Sequence, residues 1–131
     1  MSNPSLVSIV DDDESVRESL LLKEFGFACQ AFASAEDFLA SDSVGQTKCL
    51  ILDIAMPGMS GPDLQRELTR RGQDIPIVFI TAHADENVAR RTIEQGAVAC
   101  LFKPFSDTAL LDAVNAALRL NRSKPPKGDI E

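Results

Sequence analysis

The stretch LILDIAMPGMSG, residues 50–61, sets a strand-like run, Leu50–Leu52, directly before a single carboxylate, Asp53, and a loop rich in Met, Pro and Gly. An ionised group at the end of a buried element costs free energy unless something pairs with it. Whatever faces Asp53 must come from elsewhere in the chain.

Five apolar runs have strand length: Leu6–Val10, Phe27–Phe32, Cys49–Leu52, Ile77–Ile80 and Ala97–Phe102. Several are continuous rather than alternating, as expected of parallel strands covered on both faces. A helical pattern follows each one. Glu14–Phe25 carries Val16, Leu20 and Leu21. Ser34 is an N-cap for Ala35–Ala40. Pro62–Arg71 begins with Pro and stops before Gly72, and Asn87–Gln95 stops before Gly96. Ser106 caps a last helix with Leu110, Leu111, Val114, Ala117 and Leu118 at helical spacing. Five βα repeats predict an α/β fold, a doubly wound five-stranded parallel sheet with five helices.

The 131 residues suit one domain, and 44% hydrophobic residues suffice for a core. No apolar run approaches the roughly 18 residues of a membrane span, and no cleavable signal pattern is visible. A soluble, cytoplasmic protein is expected, with no membrane partner. The three cysteines, Cys29, Cys49 and Cys100, form no CxxC pair and read as buried reduced thiols. The net charge of −7 argues against direct nucleic-acid binding by this domain, because such binding rests on phosphate neutralisation by Lys and Arg. The tail from Asn121 lacks an apolar period and contains Pro125-Pro126, so residues 122–131 read as a linker or disordered tail behind a domain at 1–121.

In open α/β sheets ligands bind at the carboxyl ends of the strands. Those ends carry Asp11, Asp12 and Asp13 after strand 1, Asp53 after strand 3, Thr81 at strand 4 and Lys103, followed by Pro104, after strand 5. Clustered carboxylates repel, and a hard divalent cation relieves them; Mg²⁺ takes oxygen ligands, uses one or two carboxylates and favours phosphate. A carboxylate beside such an ion is a suitable nucleophile for phosphorus. Phosphoryl transfer depends on charge neutralisation and positioning, for which Lys103 and the Thr81 hydroxyl are suited. Asp13 reads instead as serving the start of the first helix. His83 reads as a solvent-exposed loop residue, and Met56 and Met59 as loop packing, since thioethers do not suit Mg²⁺.

Over residues 5–121 the pieces IVDDDE, LILDIAMPGMSG, VFITAH and LFKPF resemble the receiver domain of two-component response regulators, in particular those of transcriptional regulators of the nitrogen-fixation and nitrate-response type. The resemblance implies the flavodoxin-like strand order 2-1-3-4-5. It implies Asp53 as the phosphorylated aspartate, with Thr81 and Lys103 as phosphate-contacting groups. It implies Mg²⁺ as cofactor, held by Asp12, Asp53 and the carbonyl of Ala55, with Asp11 acting mainly through water. It implies a cis Lys103–Pro104 bond. The partners it implies are a sensor histidine kinase or phosphotransfer protein, and a homodimer through helix 4, strand 5 and helix 5. The expected function is a phosphorylation-gated switch signalling through that face, not an enzyme with a turned-over substrate.

The chain departs from the family twice. The first helix is about two residues short between Arg17 and Gly26, which means a tighter connection or a shifted register. Cys100 stands where the family usually carries Tyr or Phe, a ring that moves inward when the threonine engages phosphate. Phe102 shares the face of Cys100 by strand alternation, so the coupling is expected to run through His83–Asn87 with Phe102 as a partial substitute.

Two other classes compete. An aspartyl-nucleophile hydrolase similar to haloacid dehalogenases needs an acid two residues after the nucleophile, where Ala55 stands. A flavodoxin-like carrier needs a Ser/Thr-rich phosphate cradle after strand 1, where three aspartates would repel phosphate.

Overall fold

The structure is a computed structural model and describes residues 5–23, 26–82 and 86–123. Its elements alternate as β1 (Leu6–Val10), α1 (Glu14–Leu21), β2 (Ala28–Phe32), α2 (Ala35–Ala40), β3 (Thr47–Asp53), α3 (Gly61–Arg70), β4 (Ile77–Thr81), α4 (Glu86–Glu94), β5 (Ala99–Phe102) and α5 (Asp107–Ser123). The five strands pair in parallel in the order 2-1-3-4-5, as expected.

Strand alternation divides the core between the two faces. Val7, Ile9, Cys49, Ile51, Val78 and Ile80 pack with Leu20 of α1 and Leu110, Val114 and Ala117 of α5. Val10, Leu50, Leu52 and Phe79 pack with Phe38 of α2 and Leu64 and Leu68 of α3. The central strands β1, β3 and β4 hold most of the fully buried aliphatic side chains, which fixes their register and so the height at which their carboxyl ends stand. Among the described residues no helix is long and apolar enough to cross a membrane.

Several boundaries move. α1 ends at Leu21 rather than Phe25: the Lys23 amide bonds the Leu20 carbonyl at 3.3 Å, a tightened last turn that closes the helix. Leu20 alone of the leucine triplet is buried, while Leu21 and Leu22 are exposed. Glu24 and Phe25, and with them the connection to β2, lie outside the described residues. β3 starts at Thr47, two residues early, because Thr47 pairs with Leu6 and its hydroxyl bonds Ser8 at 2.7 Å. A 3₁₀ turn, Val44–Gln46, precedes it and has no apolar period to announce it. β5 begins at Ala99 instead of Ala97, since the Ala97 amide turns back to the Thr92 carbonyl at 3.0 Å. α5 runs to Ser123, two residues past the expected domain boundary.

Candidate functional site

Three acids meet at the carboxyl edge of the sheet. Asp11, Asp12 and Asp53 each offer a carboxylate oxygen, and these oxygens lie within 4.8 Å of one another. Asp11 is completely buried and Asp53 nearly so, while Asp12 is exposed and gives the cluster its opening to solvent. Lys103 enters from the end of β5, its ammonium 2.9 Å from Asp11 and 3.8 Å from Asp53. The Lys103–Pro104 bond is cis.

The local sequence explains each placement. Asp11 follows β1, and its carboxylate accepts the Asp13 amide at 2.9 Å. Asp13, read from the sequence as favouring the start of the first helix, is the N-cap of α1 and accepts the Ser15 amide at 2.9 Å. Asp53 is the last residue of β3, opposite Ile80 in the β3–β4 register. Thr81, the next residue of β4, is buried beside it and stands opposite Phe102. The loop after Asp53 folds tightly back: the Gly61 amide bonds the Ile54 carbonyl at 2.9 Å. A Cβ on Gly61 would collide with the Asp53 carbonyl, so only glycine lets α3 start this close to the acid. A capping box between Ser60 and Asp63 then opens α3.

Burial, and next the negative charge of Asp11, push the Asp53 carboxyl up to about 7, against the lowering effects of Lys103 and of the Ala55 amide, which donates to it. Mutually repelling, all-oxygen donors, two buried and one open to solvent, match what Mg²⁺ takes, and the residues present fit that ion.

The structure brings together Asp11, Asp12, Asp53 and Lys103, sets Thr81 next to them and leaves Ala55 exposed in the following loop. His83 lies outside the described residues. Met56 is buried in the core beneath the loop, with Met59 packed against that core. Two residues were missed. Arg17 donates from Nη1 to the Asp11 carbonyl at 2.8 Å, and its position one turn past the N-cap could have signalled that reach. Glu36 accepts the Met59 amide at 3.1 Å, a contact across 23 residues for which the sequence has no local sign.

The two core faces meet different neighbours at β5. Cys100 packs toward the α2/α3 side. Burial, the larger effect, raises its pKa, with Thr92, a buried residue of α4, acting to lower it. Phe102, at the end of β5 opposite Thr81, is 36% exposed.

The family model of the response regulator receiver domain matches residues 7–115. Nodulation protein W of Bradyrhizobium diazoefficiens is 45% identical over 125 residues, covering 94% of this chain and 55% of that protein. The transcriptional regulatory protein TdiR of Thauera aromatica is 42% identical over 127 residues, covering 95% and 56%. The solved structure of the response regulator StyR superposes with a TM-score of 0.83 at 48% identity, over 91% of this chain and 61% of that one. FixJ-N superposes with a TM-score of 0.80 at 36% identity, over 96% and 99%. The chain spans a little over half the length of the curated relatives it matches. With this fold, this cluster of acids and these relatives, the chain belongs to the response regulator receiver domain family, the FixJ-like signalling domains of two-component systems.

Proposed function

We propose that this domain is switched by transfer of a phosphoryl group to Asp53 from a phosphohistidine on a sensor kinase or phosphotransfer protein. The observation that carries this is the meeting of three carboxylates within 4.8 Å with an ammonium at their edge. A carboxylate oxygen of Asp53 attacks phosphorus and forms a P–O bond. The P–N bond breaks, its electron pair goes to the departing imidazole nitrogen, and that nitrogen is left able to take a proton. The product is an acyl phosphate.

Asp12, Asp53 and the Ala55 carbonyl would hold Mg²⁺, with Asp11 acting through water; when bound, the ion supplies the charge neutralisation that phosphoryl transfer needs. Lys103 then neutralises one phosphoryl oxygen, and the Thr81 hydroxyl donates to another. A groove of about 470 Å³ beside Lys103, walled by Val16 and Leu20 of α1 and by Pro104 and Phe105, offers apolar surface to the partner that carries the phosphohistidine.

The output is read at α4, β5 and α5. Exposed apolar side chains on each of them, Ile93, Phe102 and Leu120, suit a surface that pairs with a second copy. Regulation is by population: phosphate at Asp53 favours the arrangement in which Thr81 reaches it. Catalytic turnover and direct nucleic-acid binding are not part of this reading, and it suits the cytoplasm, where the kinase's phosphohistidine is presented.

Incubation with Mg²⁺ and acetyl phosphate tests the chemistry. The intact mass should rise by one phosphoryl group in wild type and stay unchanged in Asp53→Asn or without Mg²⁺. Equal labelling of the variant would overturn the assignment.

A further inference from the structure

We propose that Glu36 is a positioning residue for the phosphoacceptor site, clamping the far end of the loop that follows Asp53; this rests on the reading of Asp53 given above.

Ile54–Ser60 joins β3 to α3. At its near end the Ala55 amide donates to the Asp53 carboxylate. Its two ends are tied by Gly61 to Ile54, and Ile54 is tied to β4 through the Ile80 carbonyl at 3.0 Å. Between these ties the Met56 side chain is buried, but the tip at Pro57 and Gly58 is exposed. Gly58 has φ +75, in the left-handed region that glycine occupies freely, so the tip has little conformational restraint of its own.

Glu36 supplies the restraint from another element. It lies in the first turn of α2, which Ser34 caps by accepting the Asp37 amide at 3.0 Å. Its Oε2 accepts the Met59 amide at 3.1 Å. The same oxygen lies 2.9 Å from where a Cβ on Gly58 would stand, so the carboxylate is seated against the loop backbone and a side chain there would displace it. A hydrogen bond to a charged acceptor is among the stronger kinds. The chain of contacts runs from α2 through the Met59 amide along the loop to Ala55 and so to Asp53. Glu36 touches none of the reacting atoms; it narrows the range of positions open to the Ala55 amide and carbonyl.

The test uses Glu36→Ala and Glu36→Gln in the full chain. In metal-free protein, hydrogen exchange of the Met59 amide should speed up in Glu36→Ala by about five-fold, the scale of one modest hydrogen bond, and the Ala55 amide resonance should shift. Mg²⁺ affinity should weaken by a similar factor of about five, with the melting temperature within about 2 °C of wild type and labelling still abolished only by Asp53→Asn. Glu36→Gln, whose carbonyl still accepts the Met59 amide, should restore all three. Unchanged Met59 exchange and Ala55 resonance in Glu36→Ala would overturn the proposal, as would a glutamine variant as impaired as the alanine one. Because the amide measurements need neither metal nor phosphate, their failure is separate from a failure of Asp53 to accept phosphate.

Discussion

The ammonium of Lys103 lies closer to Asp11 than to Asp53, 2.9 Å against 3.8 Å. Asp11 is fully buried and Lys103 only 19% exposed, so the lysine is the counter-charge of the innermost acid as well as a group poised for phosphate.

That pairing sets the effect of Lys103→Ala. From sequence alone a solvated lysine would be dispensable for stability, but here its loss strands a buried carboxylate. Thermal or urea unfolding without metal at pH 8 should show a loss of about 1–3 kcal/mol. Saturating Mg²⁺ should shrink that loss, because the cation takes over part of the compensation. A variant as stable as wild type in metal-free buffer would mean that Lys103 is not Asp11's counter-charge in solution.

The raised carboxyl of Asp53 sets a pH dependence with a definite sign. Its folded pKa, about 7, lies above the ordinary 3.8. Between those values the folded state binds more protons than the unfolded one, so this group's contribution to stability falls as pH rises from about 4 to 7. The cost is absent below that window and complete above it. Asp53→Asn should therefore raise the melting temperature at pH 8 by about 5 °C and change it little at pH 4. A variant melting with wild type at both values would contradict the raised pKa.

Mg²⁺ affinity should follow the same proton. Binding requires the ionised Asp53, so affinity should rise from pH 6 to pH 8, with proton release visible as a buffer-dependent heat in calorimetry. Asp12→Ala should weaken binding by at least about ten-fold, since it removes a direct ligand. Affinity independent of pH, or equal in the variant, would show the ion bound elsewhere.

Cys100 replaces the expected ring with a thiol that packs on the α2/α3 side of the core. A thiol is small enough to bury in either state of the switch, so it discriminates poorly between them. With beryllofluoride as phosphate mimic, light scattering should show dimerisation retained in Cys100→Ser and reduced in Thr81→Ala. The reverse pattern would make Cys100 the switching residue.

Strand ends were the most legible part of the chain. Asp11, Asp53, Thr81 and Lys103 were recognisable because βα repetition alone assigns those positions to one edge of the sheet, and the structure brings Asp11, Asp53 and Lys103 together there. The helix stops at Gly72 and Gly96 were equally plain, because both glycines carry positive φ just past α3 and α4. The end of α1 was not legible, since Leu21 and Leu22 continue an apolar run although both are exposed. The start of β3 depends on the Thr47–Ser8 bond across 39 residues. Arg17 and Glu36 act on backbone groups of other segments, and no periodicity encodes such contacts.

Site-resolved trapping of the acyl phosphate tests the central claim most directly. Protein incubated with Mg²⁺ and acetyl phosphate is reduced with borohydride, which converts a phosphorylated aspartate to homoserine, and the digest is sequenced by mass spectrometry. Homoserine at position 53 alone, absent when Mg²⁺ is withheld, is the expected result. Homoserine at Asp11 or Asp12, or none at 53 while the intact protein gains a phosphoryl group, would contradict it.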